Sequence, residues 1–376
     1  MDILNRISLS ILIKETNEVS QVLLTMVSSE NFFINSEISI ALIPFLSSIA
    51  DGWVGVYKTF GIDLEFPDIN GVSFEKLLKQ TRVSYKLYTD KKNNKAKKLL
   101  RSRANQRLRV LESEYNFFQK LIISLIGQCD LGVFTFSSLP YGNTSQLSIY
   151  LDNFYEMDNI HTISILQQKS QKILIQFAEI LSSFLYETSK IFGEEHVANS
   201  TKKSDIFSTQ FEHKDYFYMD SKRRNILTGN LDDEIQLHLF NIYCQNNFIF
   251  YVFPKLFEKD TTFHHRTKIQ TYLISVSAMQ NISNKYSSSL SKRQKQVISN
   301  ITKFKQVIFP MESQLRNNIF HYDVMGVSDN IFKENYFNNM IEYLSNRNFK
   351  SFIQEIDEQM KVINDLITDL INFKTV

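Results

Sequence analysis

Apolar residues recur at steps of three and four along most of this chain, the spacing that places them on one face of an α-helix. Near the end of the sequence the step alternates between three and four without a miss, through Ile353, Ile356, Met360, Ile363, Ile367 and Leu370. The same type of pattern is found in the first thirty residues. It predicts a protein built from amphipathic helices.

Helices are predicted over about 1–30, 35–57, 73–88, a long segment from the nineties to about 125, 160–192, 232–257, 264–286, 292–324, 334–344 and 349–373. Pro44 is expected to bend or interrupt its helix, and Pro310 to bend the long helix that contains it, because proline lacks a backbone donor. Gly132–Phe136 has the character of a short strand, but no neighbouring segment is an obvious partner for it. The predicted fold class is therefore all-α.

Residues 194–230 are polar and mixed, which makes them the best candidate for a domain boundary. The prediction is a helical N-terminal domain over 1–200, a linker over 201–231, and a C-terminal helical bundle over 232–376. A length of 376 residues agrees with two domains. The N-terminal domain is expected to sense, regulate or bind substrate.

The chain has only 10 Gly and 5 Pro, so few turns are obligatory, and this favours long helices. The two cysteines, Cys129 and Cys244, are expected to be reduced core thiols in a reducing cytosol. The first residues do not have the layout of a signal peptide. The longest apolar stretch, Ile38–Ala50, falls short of the roughly 18 residues that a spanning helix needs. A cytoplasmic protein with no membrane partner is expected.

A basic run extends from Lys91 to Arg109, although the net charge of the chain is only +2. A nucleic-acid partner would therefore have to be held by a local patch. The candidate phosphate contacts in this run are Lys95, Lys98, Arg101, Arg103 and Arg107. RNA binding by these side chains would weaken steeply with salt. The alternative is a solvated helix face, which is the usual role of a charge run.

The residue types of one segment fit metal-free cleavage of RNA: Arg316, Asn317, Asn318, Ile319, Phe320 and His321. When the 2′-hydroxyl attacks the adjacent phosphorus, histidine can move the protons near neutral pH. Arginine can bind the phosphoryl oxygens as their charge grows. Asn directly after Arg lowers the number of chance matches expected in this chain from about 0.7 to about 0.06.

This segment resembles the R-x(4–6)-H motif of the HEPN superfamily, whose members are small helical bundles in which a polar residue, often Asn, follows the Arg. The resemblance covers about residues 232–376 and implies a metal-independent endoribonuclease without cofactors. It implies that Arg316 and His321 are catalytic and that Asn317 assists. It further implies a homodimer through the C-terminal domain, a role in phage defence or as a toxin effector, and an antitoxin or another protein as regulator.

One feature of a HEPN toxin branch is missing from the chain. That branch has a modified Tyr two residues after the His, where this chain has Asp323, while Tyr322 directly follows His321. The regulation by modification is therefore not expected here.

Two alternatives remain open for the motif. Arg316 can pair with Glu312 one turn earlier while His321 acts as a cation at the helix end. The fold can also be a degenerate HEPN bundle in a non-catalytic interaction protein, such as an antitoxin-like, immunity or regulatory factor. His264 and His265 are adjacent in sequence, which does not suit a shared metal site, and no metal is expected.

Overall fold

The computed structural model describes residues 3–27, 32–69, 71–87, 116–127, 129–146, 163–192, 210–218, 225–257, 260–322 and 335–373. Helices predominate in this part of the chain, and the sheet that it contains has only three strands. The predicted all-α class is therefore confirmed, with a small sheet added to it.

The helices are α1 (Ile3–Val27), α2 (Phe32–Thr59), α3 (Phe74–Leu87), α4 (Phe117–Ile126), α5 (Ile163–Ile191), α6 (Asp233–Asn247), α7 (Phe253–Leu256), α8 (Thr262–Lys285), α9 (Lys292–Ile308), α10 (Glu312–His321), α11 (Tyr336–Ser345) and α12 (Phe349–Ile371). A π-helical turn over Phe248–Val252 joins α6 to α7, and a 3₁₀ turn over Ser287–Ser289 precedes α9.

The N-terminal helices pack around Trp53, which is fully buried on α2. Its indole Nε1 donates a 2.6 Å hydrogen bond to Thr16 Oγ1 on α1, and its ring stacks on Phe192 with centroids 4.9 Å apart. Pro44 lies inside α2 without ending it. The tryptophan thus ties together α1, α2 and the end of α5.

In the part of the chain that the structure describes, one helix is long and apolar enough to cross a membrane. This is α2, over the stretch Ile34–Thr59, and 78% of its apolar window is buried inside the structure. Burial of this kind is typical of a core helix, whose apolar surface is covered by other helices.

The sheet has the strand order β2-β1-β3, with β1 at Leu131–Phe136, β2 at Leu139–Asn143 and β3 at Phe211–Tyr216. Both pairings are antiparallel. The strand expected near Gly132–Phe136 is thus present, and it has two partners where none was foreseen. One of them, β3, lies within the segment predicted as a linker and is almost wholly polar, so its sequence has no apolar alternation.

The C-terminal helices assemble around α12, whose predicted apolar stripe is buried along its whole length. The single helix predicted over 292–324 is in fact two helices. Helix α9 ends at Ile308 and α10 begins at Glu312, with Pro310 between them. A capping box at Ser291 and Gln294 starts α9, because each side chain satisfies a backbone N–H of the other residue.

Polar contacts join the sheet to the C-terminal helices. Asn143 Nδ2 donates to Asn241 Oδ1 at 2.7 Å, and Asn247 Nδ2 donates to the Pro140 carbonyl at 2.9 Å. These groups are buried, so their hydrogen bonds offset the cost of removing them from water. The predicted division at 201–231 stays a prediction, and contacts of this kind cross it.

Candidate functional site

The motif lies on α10, with its apolar side chains and Asn318 buried and its other polar side chains toward solvent. Leu315, Ile319 and Phe320 are buried, whereas Asn317 and His321 are exposed and Arg316 is partly exposed. Met311 precedes the helix and is 42% exposed. The three predicted site residues, Arg316, Asn317 and His321, are therefore accessible from solvent.

The C-terminal end of α10 is held by two side chains from α8. Arg266 Nη1 donates to the carbonyls of Asn318 at 2.7 Å and Ile319 at 3.0 Å. Gln270 Nε2 also donates to the Ile319 carbonyl, at 2.8 Å. The last carbonyls of a helix have no partner within it, and a cation suits the negative end of its dipole. These bonds fix the turn that carries His321.

Tyr322 ends α10 and anchors it to α1. Its backbone adopts a left-handed conformation with φ 54°, and its hydroxyl donates to Glu15 Oε2 at 2.7 Å. Glu15 Oε1 accepts a 2.8 Å bond from Arg266 Nε, and the Arg266 guanidinium lies 4.2 Å from the centroid of the Tyr322 ring. Burial, and then the Glu15 carboxylate, raise the pKa of Tyr322 well above its ordinary value, so the hydroxyl keeps its proton.

Arg316 makes the contact that one of the open alternatives expected. Its Nη1 lies 3.8 Å from Glu312 Oε1, and its side chain is 42% exposed. Glu312 Oε1 is much closer, at 2.6 Å, to the nearly buried Nζ of Lys305 on α9. A long, exposed pair of this type contributes about 0–1 kcal/mol. An anion can therefore compete for the Arg316 guanidinium at little cost.

His321 contacts an arginine that the sequence did not single out. Arg82 Nη1, on α3, lies 3.0 Å from His321 Nδ1, and the same Nη1 lies 2.7 Å from Asp51 Oδ2 on α2. A guanidinium has no acceptor, so His321 Nδ1 must be unprotonated to accept this bond. The contact disagrees with the interpretation of His321 as a helix-end cation. The positions are 239 residues apart, and no local pattern connects them.

The residues predicted to contact RNA lie outside the part of the chain that the structure describes. They are Lys95, Lys98, Arg101, Arg103 and Arg107. Their role stays a prediction.

The sequence also gave no indication of a polar cluster between α2 and the sheet. Glu37 Oε1 lies 3.0 Å from His213 Nδ1, and Glu37 Oε2 accepts a 3.1 Å bond from the Tyr141 hydroxyl. Burial raises the pKa of Glu37 above its ordinary value. The cluster fixes α2 against β2 and β3, and it brings together residues up to 176 positions apart.

The adjacent histidines and the two cysteines have the surroundings of residues that support the fold. His264 and His265 are buried, with His264 stacked on Phe253 at 5.2 Å between centroids. Among the residues that the structure describes, no group of three or more His, Cys, Asp or Glu side chains is arranged to hold a metal ion. Cys129 and Cys244 are free, and burial raises the pKa of both thiols, which disfavours the nucleophilic thiolate.

No family model matches the chain, and neither a search of curated proteins nor a search of solved structures finds a match. The class that fold and site define is thus a mainly helical protein in which Arg316, Asn317 and His321 are accessible on a helix that is fixed at its C-terminal end.

Proposed function

We propose that this protein is a metal-independent endoribonuclease of the HEPN type, in which Arg316 and His321 are catalytic and Asn317 assists. The observation that carries the proposal is the exposure of these three polar side chains on a helix whose end is fixed by buried contacts. Buried polar groups are held by their hydrogen bonds, whereas these accessible groups can exchange weak partners for a ligand. A site that must receive a phosphodiester needs accessible groups on a rigid support.

The proposed reaction needs only the groups of RNA and of this chain. The 2′-oxygen attacks phosphorus as its proton moves to a base, the bond from phosphorus to the 5′-oxygen breaks, and that oxygen takes up a proton. The products are a 2′,3′-cyclic phosphate and a free 5′-hydroxyl, so atoms and charge balance. His321 is the group that moves protons, and the Arg316 guanidinium stabilises the phosphoryl oxygens as their charge grows.

The wider biological role belongs to the same proposal. We infer a homodimer through the C-terminal part that brings two α10 helices together, a cytoplasmic location, and a role in phage defence or as a toxin controlled by a protein regulator. The basic run from Lys91 to Arg109 would add phosphate contacts along the RNA. These inferences derive from the resemblance of the motif and from charge.

The test is cleavage of total RNA by the purified full chain in EDTA. We expect the wild type to cut, and we expect His321→Ala to be slower by about 10²–10⁴-fold, the usual contribution of an acid–base group. Arg316→Ala should lose a similar factor with little change in stability, because its pair with Glu312 is long and exposed.

The matched controls are an exposed arginine and an exposed histidine elsewhere in the fold. Arg293→Ala changes an arginine on α9, and His213→Gln changes the histidine on β3. Both should cut like the wild type. Wild-type protein that does not cut, or His321→Ala that cuts equally well, would remove the proposal.

A second candidate function is a non-catalytic helical interaction protein with a degenerate HEPN fold. It is favoured by the contacts of Arg316 with Glu312 and of His321 with Arg82, since both motif side chains have partners within the chain. The same cleavage assay separates the two candidates. An interaction protein would cut no RNA in any variant, and its expression would not be toxic to the host cell.

A further inference from the structure

We propose that Arg82, held in place by Asp51, is a positioning residue of the motif site that keeps His321 neutral with its proton on Nε2. The proposal gives the N-terminal part of the chain a specific task. It adds a residue outside the motif to the site, and only its consequence for cleavage rests on the proposed function.

Two short distances place the Arg82 guanidinium between the His321 ring and the Asp51 carboxylate. Arg82 Nη1 lies 3.0 Å from His321 Nδ1 and 2.7 Å from Asp51 Oδ2, so one nitrogen serves both acceptors. The Arg82 and Asp51 side chains are only 22% and 17% exposed. Arginine is always charged in proteins. Partial burial and the pair with a carboxylate hold its side chain in one position.

The chemistry then restricts the imidazole. Arginine cannot act as an acceptor, so the lone pair of the contact belongs to His321 Nδ1, and the proton of the neutral ring is on Nε2. A doubly protonated ring would point an Nδ1–H at the N–H of the guanidinium and place two cations next to each other. The contact therefore favours the neutral ring over the protonated one.

The C-terminal end of a helix ordinarily favours a protonated histidine. At the end of α10, however, another cation already binds the last carbonyls. Arg266 binds the carbonyls of Asn318 and Ile319, and its charge is balanced by Glu15. Ionisable groups on α10 and on the elements around it include Glu15 on α1, Asp51 on α2, Arg82 on α3, Arg266 on α8, Lys305 on α9, Glu342 on α11, and Glu312, Arg316 and Tyr322. Lys305 is paired with Glu312, and among the described residues Arg82 is a cation that contacts the ring itself.

The experiment is a nitrogen-15 spectrum of the full chain, labelled at histidine, recorded across a pH range without RNA. The chain has seven histidines, and the His321 signals are assigned by their loss in His321→Gln. We expect an unprotonated Nδ1 and a protonated Nε2 in the neutral wild type. In Arg82→Gln the fixed proton position should be lost and the titration midpoint of His321 should rise by about one pH unit, as expected when a neighbouring like charge is removed.

Further variants separate positioning from folding. Arg316→Gln changes the arginine of the motif itself and should leave the His321 spectrum as in the wild type. Asp51→Asn keeps the Arg82 charge but releases its anchor, so it should give mixed proton positions. If Arg82→Gln does not fold, as judged by circular dichroism, Asp51→Asn decides. A protonated Nδ1 in the neutral wild type, or an unchanged spectrum in the deciding variant, overturns the proposal.

For cleavage, His321 can take up the 2′-hydroxyl proton only at Nδ1, and only while the Arg82 contact is open, because Nε2 already carries the ring proton. The low-pH limb of the rate profile should move upward by a similar amount in Arg82→Gln, so that the variant loses more activity at pH 6 than at pH 8. A wild type that does not cut RNA would end the proposed function. The spectra, which are recorded without RNA, would still decide the role of Arg82.

Discussion

At the scale of single residues, α1 presents two carboxylates one turn apart to the start of α8. Glu15 binds Arg266, while Glu18 Oε2 accepts a 3.3 Å bond from the backbone N–H of Phe263. Burial, and then the charge of Glu15, raise the pKa of Glu18 to about 7. A nearby buried histidine has the opposite property: burial, and then Lys268, lower the pKa of His265 to about 4.

These two groups predict opposite dependences of stability on pH. Between pH 4.5 and about 7 only the unfolded chain ionises Glu18, so its contribution to the free energy of unfolding falls as pH rises. Between pH 6.5 and about 4 only the unfolded chain protonates His265, so that contribution falls as pH decreases. Each effect is at most about 3 kcal/mol, from 1.36 kcal/mol per pH unit.

We expect Glu18→Gln to gain stability over the wild type as pH rises from 5 to 8. In the wild type, the contribution of His265 to the free energy of unfolding should fall as pH decreases from 7 to 4.5, and in His265→Gln this fall should be absent. Urea unfolding at a series of pH values measures both. Equal pH slopes in the wild type and either variant would contradict the burial assigned to that residue.

At the scale of elements, the β1–β2 hairpin has a turn that its own residues do not favour. Ser137 and Ser138 both have positive φ, 49° and 66°. A two-residue hairpin turn of this kind is best served by Asn-Gly, since these residues adopt left-handed backbone conformations with little strain.

The double substitution Ser137→Asn and Ser138→Gly should therefore raise the free energy of unfolding by about 1 kcal/mol, the lower end of the cost of a strained left-handed residue. Thermal unfolding measures the change. The control is the same pair of substitutions at Ser287 and Ser288, in a 3₁₀ turn outside any hairpin. A gain there as large as in the hairpin would mean that turn geometry is not the cause.

The helix that carries the motif shows a similar division between local and distant control. Its amphipathic pattern is local, and Leu315 and Ile319, four residues apart on one face, are both buried. Its termination is not local, because the carbonyl partners come from Arg266 and Gln270 on α8. A prediction from sequence extended this segment through Pro310 as one helix, whereas the structure breaks it there.

At the scale of the whole molecule, the pair of Glu15 and Arg266 connects the N-terminal helices to the motif helix. Both side chains are almost completely buried, at 0% and 2% exposure, and they lie 251 residues apart. Removing one partner of a buried pair leaves the other charge without compensation.

Glu15→Ala should thus lower the free energy of unfolding by about 3–5 kcal/mol. The matched control is Glu355→Ala, which removes the partner of Arg347 in a more exposed pair and should cost below about 1 kcal/mol. Fluorescence of Trp53, the single tryptophan, reports on the N-terminal helices, and circular dichroism reports on the whole chain. Two separate transitions in the wild type would show that the parts unfold independently, and a small effect of Glu15→Ala would contradict the coupling.

The sequence by itself determined the helical class, most helix positions and the motif, because side-chain periodicity, caps and breakers act over a few residues. Only the tertiary structure decided three features: the pairing of β1 with β3, the Glu15–Arg266 pair and the contact of Arg82 with His321. These contacts join positions between 77 and 251 residues apart, where no repeating pattern connects the two ends. The local sequence pattern therefore placed His321 on a helix, whereas the packing of helices distant in sequence brought Arg82 into contact with it.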